Sequence, residues 1–393
     1  MRGYRAARAF DGERRMPGGA LVLVEDGVIV GLEPAAFPAP DGCPVTDGPA
    51  LLPGLIDTHV HLCGDSGPRA LDQFAELSAD RLRAIIATSE RQHLRAGVTA
   101  VRDLGDSGWA VVERSPTGDG PTVVASGPPI TSPGGHCWSM GGEAAGVDAL
   151  RRAVAERAER GADVVKIMAS GGVMTPGTDM LACQFSLEEM RAVVDEAHLQ
   201  GLAVTAHAHA LPAVERSVTA GVDGIEHCSC LTHHGAVLPP ELADRLVEAG
   251  TYVCPTLGRV PGVDPPAEAQ ARLAAAGTRY EDHLIHVTEL LRADLAFLAG
   301  TDAGIGPSKR HGLVPMALVD LVACGASPVA ALAAATGVAA RACGLQRRTG
   351  RLAVGLDADL LLVDGDPLDD VTALQRPRVV VSRGREVPLT AAR

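Results

Sequence analysis

Leu52-Pro53-Gly54-Leu55-Ile56-Asp57-Thr58-His59-Val60-His61 decides the fold. Its second half, Leu55–Val60, is a short apolar run with β-branched residues that closes on a His-x-His pair. A strand alternates its faces, so His59 and His61, two apart, point the same way. Working outward, seven further segments have the same texture: Thr99–Leu104, Thr122–Ser126, Asp163–Ala169, Ala203–Ala208, Gly224–Cys228, Thr251–Pro255 and Phe297–Thr301. Each interval leaves room for a helix. The shortest, between Ala208 and Gly224, contains Leu211–Ala220 followed by Gly221, a glycine placed to cap a helix C-terminus. Eight strands alternating with helices predict an α/β chain built of βα units, and eight is the number that closes a parallel barrel. A doubly wound open sheet uses the same alternation, so the positions of the polar residues must separate the two.

Both ends of the chain read differently. Ala20–Val24 and Gly27–Gly31 form a hairpin candidate across Glu25-Asp26, and Ala358–Val363 and Val379–Ser382 flank the turn cluster Gly365-Asp366-Pro367. The expected division is therefore a β domain from residues 1–52 and 349–393 around a central unit of residues 53–348.

Composition narrows the function. Of 393 residues, 46% are apolar and only ten are aromatic, so the core is expected to be Ala, Val and Leu. A net charge of −13 without a basic run argues against a nucleic-acid surface. Nine scattered cysteines at no framework spacing read as reduced residues of a cytoplasmic chain. Neither a signal-peptide pattern nor an 18-residue apolar window is present, so no membrane partner is expected. The basic residues are unusual: 33 are arginine and two, Lys166 and Lys309, are lysine. A coding bias explains the arginines and leaves open why these two positions hold lysine.

In a parallel barrel the chemistry sits at the C-terminal strand ends. His59 and His61 end the first predicted strand, Lys166 lies in the fourth, His207 ends the fifth, His227 the sixth, and Asp302 follows the eighth. Four imidazoles, an amine and a carboxylate on one rim suit Zn²⁺ or another borderline divalent ion better than Ca²⁺ or Mg²⁺. The other histidines at 93, 198, 233, 234, 283, 286 and 311 read as structural or solvated. Lys166 lies among Val164, Val165, Ile167 and Met168, where an ammonium is costly unless paired. It is either half of a buried ion pair or a snorkelling side chain, or a neutral amine that takes up CO₂ as a carbamate able to bridge two metals. Arginine cannot replace it in the last role, because its guanidinium stays protonated.

These stretches, with Gly97-Val98-Thr99-Ala100-Val101-Arg102-Asp103, Lys166-Ile167-Met168-Ala169-Ser170-Gly171-Gly172, Val204-Thr205-Ala206-His207-Ala208-His209, Gly224-Ile225-Glu226-His227, Ala299-Gly300-Thr301-Asp302 and Gly355-Leu356-Asp357-Ala358-Asp359-Leu360, resemble the amidohydrolase superfamily. The likeness is to its Xaa-Pro dipeptidase and imidazolonepropionase-like branch, and it runs through essentially the whole chain. The resemblance implies a distorted (β/α)₈ TIM barrel with a small β-sandwich formed from both termini, and a binuclear site. His59, His61 and Asp302 would hold one metal, His207 and His227 the other, and Lys166 as a carbamate would bridge them. Two divalent ions, zinc by donor type, would share a bridging hydroxide. Asp302 would take the proton of that hydroxide and pass it to the departing amine.

His136, in Ser132-Pro133-Gly134-Gly135-His136-Cys137, lies in a segment resembling one that faces substrate in that family. His209 stands where some relatives carry a tyrosine that meets a substrate carboxylate. Arg102 is expected to pair locally with Asp103, Lys309 to be an ordinary loop residue, and residues 170–179 to form a lid over the mouth. The resulting expectation is a hydrolase of a peptide-like amide, of Xaa-Pro dipeptidase or N-acyl amino acid hydrolase type, acting on a small molecule or short peptide and compatible with a homo-oligomer. The alternatives are a tailoring hydrolase of a modified peptide or secondary metabolite, a mononuclear deaminase or cyclic-amidine hydrolase, and a non-catalytic barrel scaffold.

Overall fold

The computed structural model describes residues 1–71, 73–114 and 118–389. Leu55–Val60 pairs in parallel with Val98–Asp103, and that strand with Thr122–Ala125. A second parallel set runs Val164–Met168, Ala203–Ala210, Gly224–Thr232 and Tyr252–Cys254. The two sets meet at Asp163, whose amide donates to the Ala125 carbonyl at 2.8 Å and whose carboxylate accepts from the Ala125 amide at 2.9 Å. The first, second, fourth and sixth of these strands are buried at nearly every position, as expected of parallel strands covered on both faces.

Seven of the eight expected strands are present as ladders. The eighth, Phe297–Thr301, is not: it touches its neighbours through single parallel bridges, Phe297 with Val253 and, just beyond it, Ala303 with Val60. The cause is local. Asp57 accepts from the Thr301 amide at 3.0 Å and from its hydroxyl at 2.6 Å, and Asp302 adopts φ +58°, which takes the chain out of extended geometry. The segment still spans the gap, since the Thr58 amide donates to Ala299 O and the Asp302 amide to His59 O.

Helices return the chain between strands and carry the signals their sequence offers. Ser78 caps Ala79–Arg95, Ser186 and Glu189 form a reciprocal capping box at the start of Leu187–Leu199, and Leu211–Ala220 has Pro212 in its first turn and ends on Gly221 at φ +89°. Among the described residues no helix is long and apolar enough to cross a membrane.

Both ends of the chain build one eight-stranded sheet. Its main path runs from Arg385–Glu386 through Pro377–Ser382, Leu360–Val363, Val45–Pro53, Arg2–Phe10 and Ala20–Glu25 to Val28–Glu33, with Arg15–Met16 paired to Arg2–Phe10. Period-two alternation gives this sheet two apolar faces: Leu51, Leu360 and Leu362 join one core, while Ala50, Leu52, Leu361 and Val363 join the core beneath the parallel strands. Gly54 links the sheet to the first parallel strand. A Cβ there would lie 2.1 Å from Thr99 Oγ1, so only glycine permits the approach.

Candidate metal centre and the adjoining cavity

The strand ends bring His59, His61, Lys166, His207, His227 and Asp302 to the wall of one inner chamber with about 20 Å³ of free space, joined there by His136. That room admits water or ions and excludes a substrate. Donor atoms here fall into three groups, His59 with His61 and Asp302, His207 with His209 and His227, and, behind the first, His59 with Glu226 and Cys254. Within each group the atoms lie within 4.8 Å of one another.

Each imidazole is oriented by its other nitrogen. His59 Nδ1–H donates to Glu226 Oε2 at 2.8 Å and His61 Nδ1–H to the Gly105 carbonyl at 2.9 Å, which leaves both Nε2 lone pairs toward Asp302 Oδ1, at 3.4 and 3.1 Å. His207 Nε2–H donates to Gly171 O at 3.1 Å and leaves Nδ1 free. His227 Nδ1 meets Thr256 Oγ1 at 2.8 Å, and His209 Nδ1 meets Ser229 Oγ at 2.9 Å. Fixing one nitrogen of a ring so that the other is presented is how proteins prepare metal-ligating histidines.

The electrostatics agree. Burial lowers His59 to about 4 and His207 and His227 well below the usual imidazole range, so these rings are neutral and can donate lone pairs. Burial also pulls on His61, but the hydrogen bond and charge of Asp302 outweigh it and raise that ring. Burial alone would raise Asp302; His59 and His61 hold it well below the usual carboxylate range. Lys166 is 1% exposed, and burial lowers its amine. Among the described residues its Nζ has no hydrogen-bond partner. The buried amine thus lines the chamber with four imidazoles and a carboxylate, a donor set whose chemistry fits divalent cations, and Glu226 and Asp302 act on it by charge without a hydrogen bond among the described residues.

The backbone is strained at the same places. His227, Thr256 and Asp302 have φ of +65°, +52° and +58°, a region costly for residues with a Cβ and characteristic of functional sites.

Sequence reasoning misjudged or missed several groups. Arg102 does not pair with Asp103. Its Nη2 donates to Glu226 Oε1 at 2.9 Å and its Nε to Thr58 O at 2.7 Å, while the Asp103 carboxylate instead accepts the amides of Leu62 and Gly105. Alternation explains this, since adjacent residues of a strand face opposite sides. Glu226 went unremarked beside His227. It also accepts from Thr205 Oγ1 at 2.6 Å, and although burial would raise it, Arg102 and His59 hold it ionised.

His136 is buried and held by the 170–179 loop: its Nδ1 meets Thr175 Oγ1 at 2.9 Å, and a Cβ at Gly172 would reach its Nε2 at 2.4 Å. The same loop sends Val173 and Met174 into an outer cavity with about 180 Å³ of free space, which shares His136, Met174, His207, His227, Asp302 and Ile305 with the inner chamber. His209, His283, Arg259, Tyr280 and Lys309 also line it. Lys309 is therefore not an ordinary loop residue, and His283, whose Nε2 bonds Pro255 O, is a wall of the cavity. The scarcity of lysine was the one available signal for Lys309. Of the remaining histidines, His93 pairs with His311 at 3.0 Å and His286 with Cys228 O, as structural residues do.

Known proteins agree with this architecture. The amidohydrolase family pattern matches residues 50–387. The ochratoxinase of Aspergillus niger is 29% identical over 373 residues, covering 84% of this chain and 74% of that protein. The imidazolonepropionase of Salinispora tropica is 28% identical over 379 residues, covering 88% and 86%. The crystal structure of a Xaa-Pro dipeptidase with methionine bound in its active site superposes with a TM-score of 0.82 at 25% identity, covering 98% of each chain. The chain belongs to the amidohydrolase family and is a hydrolase that acts on carbon–nitrogen bonds.

Proposed function

We propose that this chain is a metal-dependent hydrolase of a peptide-like amide, acting on a dipeptide of Xaa-Pro type or on an N-acyl amino acid. In this reading residues 53–348 form a distorted (β/α)₈ barrel, with Phe297–Thr301 closing the ring through its bridges, and residues 1–52 and 349–393 form a small β-sandwich. His59, His61 and Asp302 would hold one divalent cation and His207 and His227 a second, and Lys166, carboxylated by CO₂ with release of a proton, would supply carboxylate oxygens to them. The observation that carries the proposal is the single small chamber in which two donor groups, each ring fixed through its other nitrogen, surround a buried amine without an acceptor among the described residues. Nitrogen and oxygen donors of this kind favour zinc.

Cations bound there would supply Lewis acidity, toward water and toward the scissile carbonyl. The residues do the rest. Asp302, ionised before reaction, takes the proton of the attacking water and delivers it to the departing amine nitrogen. His136 and His209 face the bond being cleaved from the cavity side. The 170–179 loop, packed through Thr175 and Gly172 on His136, shields the chamber from bulk water. Lys166 argues against a mononuclear deaminase, and the complete donor set argues against a non-catalytic scaffold. The methionine held by the related Xaa-Pro dipeptidase supports an amino-acid product. The apolar outer cavity also supports a second reading, a hydrolase that trims an amide from a modified peptide or other secondary metabolite.

A library of dipeptides and N-acyl amino acids, incubated with zinc-loaded protein and followed by amine release, tests the proposal. Turnover of some members is expected. Hydrolysis confined to cyclic amidines or aminopurine-like compounds would overturn it.

A further inference from the structure

Of the chain's two lysines, the reaction proposed above uses Lys166 and leaves Lys309 without a task. Lys309 Nζ donates to the carbonyls of Thr256 at 2.7 Å and Leu257 at 3.4 Å, which aims the amine and leaves one N–H free. Thr256, in its left-handed turn, holds its hydroxyl oxygen 2.8 Å from His227 Nδ1 while its carbonyl accepts from Lys309 Nζ, so one residue touches both the amine and a histidine of the chamber.

Lys309 is also the cavity's cation without a counter-ion. Among the described residues it has no ion pair, whereas Arg259 lies over the Tyr280 ring at 4.3 Å and pairs with Asp264 at 3.8 Å, and Arg279 pairs with Asp282 at 3.5 Å. The two carboxylates that act on it from a distance are engaged elsewhere. Asp302 meets His59 and His61, and Asp320 accepts from the Gly258 amide and Tyr280 Oη. Burial brings the amine down to about 8, which leaves it mostly protonated at neutral pH. The lining of the same cavity also includes the apolar side chains of Val173, Met174, Met180, Leu231 and Leu273.

We propose that Lys309 is the substrate-carboxylate receptor, and that the substrate is an amide bearing a free carboxylate together with an apolar side chain or acyl group that fills the outer cavity. The ammonium makes a charge-assisted hydrogen bond to that carboxylate. The inference rests on the amide-hydrolase reading and assigns the residue that takes the carboxylate which its dipeptide and N-acyl amino acid substrates share.

The experiment compares zinc-loaded wild type, Lys309→Met and Lys309→Arg. The kinetic arm takes an N-acyl amino acid that the wild type hydrolyses and its primary carboxamide. The ratio of kcat/KM for acid over carboxamide is expected to fall about tenfold to a hundredfold in Lys309→Met, through KM, with partial recovery in Lys309→Arg. An unchanged ratio, with metal content and circular dichroism preserved, would overturn the assignment. A calorimetric arm compares binding of L-methionine and L-methioninamide. The wild type should prefer the acid and Lys309→Met should lose that preference; equal preference in the two proteins overturns the assignment even if no amide is turned over, an outcome that would count separately against the hydrolase reading.

Discussion

The inner chamber and the outer cavity share six residues, yet they are built by opposite means. The chamber is made of strand ends, where parallel pairing and period-two alternation fix each side chain's direction. The outer cavity adds to strand residues such as His207, His209 and His227 a wall of loops and helices, with Val173 and Met174 from one segment, Arg259 from a second, Tyr280 and His283 from the helix Tyr280–Arg292 and Lys309 from another loop. Each region holds one of the only two lysines. What separates them is partnering: the Lys166 amine faces metal-type donors and has no acceptor among the described residues, whereas the Lys309 amine is anchored on two carbonyls. The chamber is thus equipped for a reaction and the cavity for choosing what undergoes it.

If that division is right, the largest effect belongs to Lys166. Lys166→Arg should retain the fold but lose activity by a factor on the order of 10³ or more, together with one of two bound cations, measured by turnover and metal analysis. Full activity in that variant breaks the comparison at its first term. Chelation should abolish activity in the wild type, and zinc should restore it.

Glu226→Gln should come next. It removes the ionised acceptor of His59 Nδ1–H and leaves Arg102 buried without its counter-charge. Metal affinity should fall about 10- to 100-fold, and the fold should lose roughly 3–5 kcal/mol, read by metal titration and chemical denaturation. Loss of affinity without loss of stability would show that Glu226 serves the metal side alone.

The cavity side should respond more gently. Thr175→Val deletes the hydroxyl that meets His136 Nδ1 and accepts the Cys137 amide. It is expected to lower kcat/KM by about tenfold, with metal content retained. Loss of metal would mean that the loop belongs to the chamber instead.

The smallest effect lies outside both regions. His93 and His311 are hydrogen-bonded to each other, and burial holds His93 well below the ordinary imidazole range and His311 at about 4. Both are neutral when folded and take up protons near 6.5 when unfolded. Their contribution is therefore fully present above pH 6.5 and is lost as pH falls toward 4, by about 1.4 kcal/mol per pH unit for each group. Replacing His311 by Gln should flatten the acid limb of a stability curve measured by denaturation; an unchanged limb would assign acid sensitivity elsewhere.

The contrast also explains what could be read in advance. Seven of the eight parallel strands and the gathering of six strand-end residues in one chamber follow from short apolar runs with ionisable groups at or near their ends, and the N-terminal hairpin and the C-terminal strand pair follow from their turn residues. The eighth strand misled because Asp57 captures Thr301 and Asp302 turns left-handed, a tertiary event that no local pattern encodes. Arg102 was misassigned to its sequence neighbour because its partner, Glu226, is 124 residues away. Arg259 lies on a loop, which carries no periodicity, and Tyr280 and His283 lie on the helix Tyr280–Arg292, whose periodicity marks a buried face without saying which cavity that face lines. Lys309 had only its rarity to recommend it, and rarity alone does not give a position in space.

The most direct measurement is the electron density at Lys166 in a crystal of active protein grown with zinc and bicarbonate. The account predicts a carboxylated Nζ between two cations, one reached by His59, His61 and Asp302 and the other by His207 and His227. An unmodified amine beside a single cation, in protein that still hydrolyses its amide substrate, would contradict it.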